Sequence, residues 1–256
     1  NKIIEKILTV WIGKFILISE NLRKIYIRKY KVEKEKTMVA PDGVDLKIFD
    51  INLSKEEARR EKNLPLDKKI LVYTGKFKTM GMDKGISDMM KAVKILNDEN
   101  ILFVAVGGYG EEVEYYKELA RQFSISERVK LISLLPQKDL AIYQKAANAL
   151  LMPFPFNTHY AYYMSPLKMF EYMASGRPII ATDLPSIREV LNDSSASSGR
   201  GNAIIVKPDN PEDLARGIKT ALENKELVNK ISAQAFEDVN KYTWEKRTGD
   251  ILNFIK

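Results

Sequence analysis

The sequence contains no cysteine and a single histidine, His159. A chain without cysteine forms no disulfide bond, no thiolate-bound metal site and no cysteine nucleophile. With one histidine, metal centres built from several imidazoles and most histidine-based relays are excluded within these residues as well. The lack of cysteine fits a cytoplasmic protein, and it equally fits the secreted domains that contain none.

Long apolar runs are also absent. The most hydrophobic of them, such as residues 149–155, end after six or seven positions, whereas a transmembrane helix needs about 20. We therefore expect no membrane-spanning segment and a cytoplasmic location. The N-terminus does carry a helical repeat of apolar residues beside several lysines: Ile3, Ile4, Ile7, Leu8, Trp11, Ile12 and Phe15. This repeat predicts a helix that packs on protein or, alternatively, lies on a membrane surface.

The 256 residues are 45% hydrophobic and 29% charged, which is ordinary globular composition and excludes a disordered or collagen-like chain. Lysine and arginine number 41 against 34 acidic residues, so the formal net charge is +7. Such a charge suits an anionic small ligand or anionic lipid. The sequence shows no basic helix and no mixed aromatic and basic motif, so we expect no nucleic-acid partner.

From Lys69 onward, short β-branched runs alternate with helical patterns. Strands are predicted at residues 70–74, 101–106, 129–133, 149–154, 179–182 and 203–206. Their apolar residues are consecutive, which is typical of parallel strands buried on both faces. Helices are predicted at residues 84–98, 111–123, 137–147, 166–175, 185–191, 211–224, 225–240 and 243–255. This alternation predicts an α/β domain with a doubly wound parallel sheet and a helical C-terminus.

The first forty residues have a different pattern of predicted elements. A strand is predicted at residues 15–19 and a helix at 20–30, followed by a charged run at 31–36. One strand and two helices bury no core of their own, so we expect residues 1–40 to be the tail of another domain or to dock on the α/β body. A Pro-Asp-Gly turn within residues 40–44 marks the boundary. Small polar residues at 194–201 predict a mobile loop.

Two glycine-rich loops follow predicted strands. Gly75 and Lys76 come directly after the first strand, and Lys84 lies at the start of the first helix of the sheet domain. Glycines let a backbone approach a pyrophosphate and lysines supply its counter-charge, although a solvated turn is the alternative. The second loop, Gly107-Gly108-Tyr109-Gly110, resembles a dinucleotide-binding turn. It has Val113 in the third glycine position, and no acidic residue ends the next strand, so we reject a nicotinamide or flavin site.

The strongest motif begins at Ser165. Ser165 is predicted as the N-cap of a helix and Pro166 as its first residue, so the free backbone N–H groups at the start of this helix form an anion site. Glu171 follows about one and a half turns later, where its carboxylate can accept hydrogen bonds from two vicinal hydroxyls. The alternative is a structural helix with a solvated Glu171.

His159 and Tyr163 are further candidate site residues. His159 is predicted in a loop just before this helix, where it either contacts a ligand or packs among tyrosines. All of these loops follow strands of one parallel sheet. We therefore expect them to meet at its carboxyl edge, where open α/β sheets bind ligands.

Ordered landmarks extend this pattern along the chain from about residue 16 to its end. They are Pro41-Asp42-Gly43-Val44-Asp45 with Phe49, Gly75-Lys76, Lys84-Gly85, Val106-Gly107, Arg128-Val129, Ser165-Pro166-Leu167-Lys168, Phe170-Glu171-Tyr172-Met173-Ala174, the segment 176–182 and the segment 187–190. Together they resemble the group 1 (family four) glycosyltransferases. The resemblance implies a GT-B fold, in which two Rossmann-like domains face a cleft. The C-terminal domain would hold a UDP-, GDP- or ADP-sugar, and transfer would retain the anomeric configuration without metal or cofactor.

The resemblance also assigns roles to single residues. Lys76 and Lys84 would be the catalytic cations that neutralise the diphosphate leaving group. The phosphates of the donor would be bound by the backbone of Ser165, Pro166, Leu167 and Lys168. Glu171 would bind the ribose, and the backbone near Leu135 would bind the base. Gly75, Gly107 and Gly108 would line the cleft. Two positions depart from the family pattern: Lys76 replaces an arginine, and Tyr163 replaces the first glutamate of a paired-glutamate motif.

The same resemblance divides the chain. Residues 1–40 would be a remnant of the N-terminal acceptor domain with its linker, 41–240 the nucleotide-sugar-binding domain, and 241–256 a C-terminal crossover helix. We therefore expect an incomplete retaining hexosyltransferase that is inactive alone, with a glycan, lipid or small molecule as acceptor. The alternative is a non-catalytic nucleotide-sugar-binding domain that works with a separate partner chain. The N-terminal segment is a candidate for self-association or peripheral membrane contact.

Overall fold

A computed structural model describes residues 12–79, 81–193 and 201–256. Its strands are β1 Phe15–Leu17, β2 Thr37–Val39, β3 Lys69–Thr74, β4 Lys78–Thr79, β5 Met82–Asp83, β6 Ile101–Gly108, β7 Val129–Ser133, β8 Ala149–Met152, β9 Ile179–Thr182 and β10 Ile204–Val206. Its helices are α1 Glu20–Tyr30, α2 Leu46–Phe49, α3 Lys55–Glu61, α4 Ile86–Leu96, α5 Gly110–Gln122, α6 Gln137–Ala146, α7 Thr158–Tyr162, α8 Leu167–Ser175, α9 Pro185–Arg188, α10 Pro211–Glu223, α11 Lys225–Asp238 and α12 Trp244–Ile255.

The main sheet has six strands in the order β10-β9-β8-β3-β6-β7. Every neighbouring pair in it is parallel. The chain winds outward from β3 through β6 to β7, then returns to the other side of β3 and continues through β8 and β9 to β10. The carboxyl ends of β3 and β8 therefore flank the point at which the winding reverses, where α/β sheets hold their ligands.

Both faces of this sheet are covered by helices. In β3, Ile70 and Val72 belong to the core on one face, and Leu71 and Tyr73 to the core on the other, with all four fully buried. Residues of α6 and α8 fill the first face, and residues of α4, α5 and α10 fill the second. Burial on both sides is the reason for the continuous apolar runs in the sequence. The predicted doubly wound α/β fold is confirmed.

The N-terminal segment forms a small unit beside the main sheet. Strands β1 and β2 pair in parallel, and α1 connects them. Phe15, Leu17 and Val32 form a separate buried cluster with side chains of α1. Strand β2 was not predicted, because three residues after a charged run carry little strand signal. Of the apolar repeat at the N-terminus, only Ile12 and Phe15 lie within the described residues; Ile12 is exposed and Phe15 is buried.

Other differences from the sequence-based expectation are local. The hairpin of β4 and β5 lies inside the loop that precedes α4, and α7 occupies the stretch predicted as a loop around His159. The predicted mobile loop at 194–201 lies outside the described residues except for its last position. None of the helices in the described ranges combines the length and the apolar character that crossing a membrane requires.

Candidate functional site

Three loops meet at the carboxyl edge of the main sheet, as the sequence predicts. The N–H of Gly75 donates to the carbonyl of Val106 at 2.8 Å, so the end of β3 is tied to the end of β6. Gly107 has φ +125°, and a Cβ added there would lie 2.5 Å from the carbonyl oxygen of Gly75. A Cβ at Gly85 would lie 2.1 Å from the carbonyl oxygen of Pro153, in the loop after β8. Gly85 and Gly107 are thus required by close backbone packing between the loops.

Asp83 fixes the loop that carries Lys84. Its carboxylate accepts hydrogen bonds from the Ile86 N–H at 2.8 Å, the Ser87 hydroxyl at 2.9 Å and the Tyr116 hydroxyl at 2.6 Å. These bonds satisfy the first turn of α4 and join it to α5. Asp83 was not singled out from the sequence, although an acidic residue just ahead of a helix is a recognisable N-terminal signal.

Lys76 and Lys84 bring two positive charges to the same edge. Lys76 is exposed and its ammonium lies 5.8 Å from the centre of the Tyr109 ring. Lys84 is half-buried, and burial, followed by repulsion from Lys76, lowers the pKa of its amine. Two cations that repel each other, one of them half-buried, are stabilised by an anion between them. The arrangement therefore favours a doubly charged ligand.

The first turn of α8 points to the same edge. The helix begins at Leu167 with Pro166 as the residue before it, so the prediction that Pro166 is the first helical residue is wrong. The prediction of Ser165 as N-cap is also wrong, because its hydroxyl accepts instead from the Asp42 N–H at 2.9 Å. Pro166 has no N–H, so Leu167 and Lys168 supply the first N–H groups that an anion can use. Gly176 ends the helix at φ +66°, as expected.

Glu171 is buried rather than solvated. Only 8% of its surface is exposed, so the alternative interpretation of a solvated Glu171 is wrong. Burial raises the pKa of its carboxyl to about 7, against the opposing effects of the Lys168 charge and a hydrogen bond from Gln144 at 3.4 Å. Gln144 also donates to the Thr74 hydroxyl at 3.0 Å. Glu171 is thus held beside the end of β3 by neighbours from α6 and α8.

The Lys168 side chain was not predicted as a site group. It is 7% exposed, and its ammonium has no hydrogen-bond partner among the described residues. The nitrogen lies 3.5 Å from the centre of the Tyr73 ring and 3.1 Å from the place where a Cβ on Gly75 would be. Burial, and then repulsion from Lys84, holds the pKa of the Lys168 amine well below its usual range, whereas Glu171 acts in the opposite direction. Its spacing of three residues from Glu171 was the signal that both share one face of α8.

The remaining predicted residues lie around this centre. Gly108 is packed so closely that an added Cβ would lie 2.4 Å from a ring carbon of Phe77. The Leu134 N–H donates to the Gly108 carbonyl at 3.1 Å, which brings Leu135 near the end of β6. His159 lies in α7 and makes an edge contact with Tyr160 at 5.6 Å, so its placement in a loop is corrected. Tyr163 ends α7 and is 39% exposed.

Acidic and histidine side chains do not gather into a metal-binding group within the described ranges. The charged groups that converge at the sheet edge are instead the lysines and the single buried carboxylate described above. This arrangement suits an anionic ligand that also offers hydroxyl donors.

Comparisons with known proteins indicate the family and the fold of this chain. The family model for glycosyl transferases group 1 matches residues 54–238. An uncharacterized glycosyltransferase of Methanocaldococcus jannaschii is 26% identical over 246 residues, which cover 94% of this chain and 59% of that protein. A D-inositol 3-phosphate glycosyltransferase of Streptomyces bingchenggensis is 25% identical over 230 residues, covering 86% and 47%. The chain thus spans about half to three fifths of the length of these relatives.

Solved structures share the fold. A glycosyltransferase of Rickettsia africae superposes with a TM-score of 0.78 at 18% identity, covering 94% of this chain and 62% of that one. The HepE protein of Anabaena, solved in complex with UDP-glucose, superposes with a TM-score of 0.74 at 18% identity, covering 95% and 63%. Since the family model matches well over half of the residues, the chain belongs to the group 1 glycosyltransferases.

Proposed function

We propose that this chain is the donor-binding part of a retaining glycosyltransferase and that it holds a nucleotide-diphosphate sugar at the carboxyl edge of its sheet. The observation that carries the proposal is the meeting of Lys76, Lys84 and the first turn of α8 at the point where the sheet's winding reverses. The structure of HepE with UDP-glucose supports this class of ligand.

Cleavage of the bond between sugar and diphosphate depends more on neutralising negative charge than on proton transfer by the protein. When the bond between the anomeric carbon and the diphosphate oxygen breaks, negative charge collects on the leaving phosphate. Lys76, Lys84 and the N–H groups of Leu167 and Lys168 would stabilise that charge without a metal ion. The oxygen of an acceptor hydroxyl would then form the new bond on the face that the diphosphate leaves, which retains the configuration, and the hydroxyl proton would pass to the departing phosphate oxygen.

The nucleoside would be oriented by two further contacts. Ionised Glu171 would accept hydrogen bonds from the two ribose hydroxyls, and the backbone near Leu135 would meet the base. Because burial raises the pKa of Glu171 to about 7, part of the carboxyl is protonated at neutral pH. Ribose binding would favour the ionised form, since charged acceptors make the stronger hydrogen bonds.

The acceptor is the least constrained part of the proposal. Several relatives are named D-inositol 3-phosphate glycosyltransferases, and a glycan, a lipid or a small molecule each remains a candidate class here. The acceptor would be bound largely by a second domain, for which residues 1–40 would supply the last elements and residues 241–256 the crossover helix. Gly75, Gly107 and Gly108 would line the cleft between the two domains.

Calorimetric titration of the chain with UDP, GDP and ADP in the presence of EDTA tests the proposal. We expect one of the three to bind with one site per chain, and binding to fall sharply in Lys76→Met and Lys84→Met. Lys117→Met, which removes an exposed lysine paired with Glu114 on α5, serves as the matched control. Failure of all three nucleotides, or binding only after magnesium or manganese is added, would overturn the metal-free donor site.

A further inference from the structure

We propose that the side chain of Lys168 is a third cation of the donor site, one that is uncharged in the empty protein and gains a proton when the diphosphate binds. The inference rests on the proposed function, because it requires a diphosphate at the carboxyl edge of the sheet. It adds a group whose charge responds to occupancy, in contrast to a fixed positive patch.

The position of the amine is the first step. Its nitrogen is buried, and no hydrogen-bond acceptor of the described residues reaches it. It lies under Gly75, whose missing side chain leaves the nitrogen only 3.1 Å from where a Cβ would be. Gly75 is the residue directly after β3, next to the point where the winding reverses. An anion bound to the loop after β3 would therefore lie close to the Lys168 amine, with only Gly75 between them.

The surroundings of the amine are the second step. The ring of Tyr73 lies on one side at 3.5 Å and the ring of Phe154 at 5.6 Å. Aromatic faces attract an ammonium, but they do not replace its lost hydrogen bonds to water. A buried ammonium without an acceptor is costly, so the empty site favours the neutral amine. A lysine kept buried without a partner indicates that its partner arrives with the ligand.

The charged neighbours are the third step. Lys84, from the loop before α4, repels a charged Lys168, and Lys76 brings further positive charge to the same edge. Glu171, from α8, is the one acidic group of the described residues that acts on the amine. Tyr73, from β3, stays neutral because burial raises the pKa of its phenol well above the usual range. A diphosphate would screen both lysines and attract Lys168, which reverses the balance in favour of the ammonium.

The proton balance is simple. The neutral amine takes one proton from solvent, no covalent bond changes, and the proton returns when the nucleotide leaves. At pH 8 Glu171, with a pKa of about 7, is mostly ionised, so it supplies no proton to the amine. Net uptake at that pH therefore reports on the lysines.

Calorimetric titration with UDP, or with GDP or ADP if one of these is the nucleotide that binds, tests the inference at pH 8.0 in buffers of different ionisation enthalpy. We expect uptake of about one proton per nucleotide in the unmodified chain. Uptake should disappear in Lys168→Met, a variant of similar shape that leaves no unpaired amine in the interior. It should persist in Lys84→Arg, whose guanidinium stays charged throughout and removes the other titrating lysine of the site.

A second measurement needs no variant. If the amine gains a proton on binding, the affinity of the unmodified chain for the nucleotide should fall up to tenfold for each pH unit between pH 8 and 9. Binding that shows neither uptake nor this pH dependence overturns the inference while leaving the proposed donor site standing. Uptake that persists in Lys168→Met also overturns it. Absence of any nucleotide binding overturns both.

Discussion

At the scale of single residues, Glu171 differs most from its sequence-based interpretation. Its residue type and its place in the motif predicted contact with ribose hydroxyls, and the structure adds that the carboxyl is buried with a pKa near 7. The burial was not predictable from the motif, because Glu171 is contacted by Gln144 of α6, which in turn is bonded to Thr74 at the end of β3. Those contacts exist only in the folded sheet.

The first prediction concerns Glu171→Gln. We expect nucleotide affinity to fall by about 1.5–3 kcal/mol, because a charged acceptor for the ribose hydroxyls is replaced by a neutral one. The ratio of the affinity of the unmodified chain to that of Glu171→Gln should rise as the pH increases through about 7, since binding favours the ionised carboxyl and proton uptake at Lys168 is common to both proteins. Calorimetry at pH 6 and pH 8 measures both effects. Equal affinity of the variant and the unmodified chain at pH 8 would rule out a ribose contact.

The same variant carries a stability test. A carboxyl whose pKa is raised in the folded state favours folding when protonated, and that contribution is lost as the pH rises toward and through about 7. The free energy of unfolding of Glu171→Gln, relative to the unmodified chain, should therefore be higher at pH 8 than at pH 5, by up to about 3 kcal/mol. Urea unfolding at the two pH values checks the sign. Lower relative stability at pH 8 would mean that the ionised carboxylate is itself structural.

Gly107 provides a second prediction at this scale. Gly107→Ala forces a Cβ to within 2.5 Å of the Gly75 carbonyl oxygen at a φ of +125°, so we expect a loss of about 1–3 kcal/mol in unfolding free energy. Gly110→Ala is the matched control, since nothing lies within 4 Å of its added Cβ at the start of α5. Urea denaturation of both variants decides the matter. Equal stabilities would show that the loop relaxes freely.

At the scale of elements, all six strands of the main sheet were predicted from sequence. The four inner strands are almost fully buried and read as apolar runs, whereas the edge strand β7 is only partly buried. The start of α8 was predicted wrongly. Ser165 has the right chemistry for a cap, but its hydroxyl accepts a hydrogen bond from the Asp42 N–H, 123 positions away in sequence. Local propensity identified the element, whereas a long-range contact decided its first residue.

The attachment of α1 is an element-scale contact that no motif indicated. The carboxylate of Glu189, which follows α9, accepts from the Glu20 N–H at 2.6 Å, the Asn21 N–H at 2.8 Å and the Asn21 side-chain amide at 2.5 Å. It thus caps the N-terminus of a helix from a separate unit of the chain, where negative charge is favourable. The sequence placed Glu189 only within a family landmark.

The prediction for Glu189→Gln follows from this contact. We expect the amides in the first turn of α1 to exchange hydrogen faster, by the equivalent of about 1 kcal/mol, because a charged cap becomes neutral. Nucleotide affinity should change little, since Glu189 lies outside the lysine-rich edge of the sheet. Glu114→Gln, which alters an exposed pair with Lys117 on α5, is the control. Unchanged exchange in α1 would mean that its own packing suffices to dock it.

At the scale of the whole molecule, the N-terminal unit and α12 are joined around the sheet domain. The Arg247 side chain donates to the Pro41 carbonyl at 2.8 Å, and Lys14 lies 4.5 Å from the centre of the Phe254 ring. Val44 forms an isolated parallel bridge with Thr243. These contacts bring both ends of the described chain together. The assignment of residues 1–40 to such a domain stays a prediction.

The last prediction is that the 256-residue chain binds a donor nucleotide but transfers no sugar. The lysines and α8 would supply charge for the leaving group, whereas the acceptor hydroxyl would be held against the anomeric carbon by the second domain to which the proposed function assigns the acceptor. Without that positioning, transfer loses the large advantage that comes from fixed orientation of the reactants. Calorimetry with the nucleotide and a radiolabelled-sugar transfer assay, run on the same preparation, separate the two properties. Sugar transfer by this chain alone would require a complete acceptor site within the 256 residues and would overturn its interpretation as a donor half.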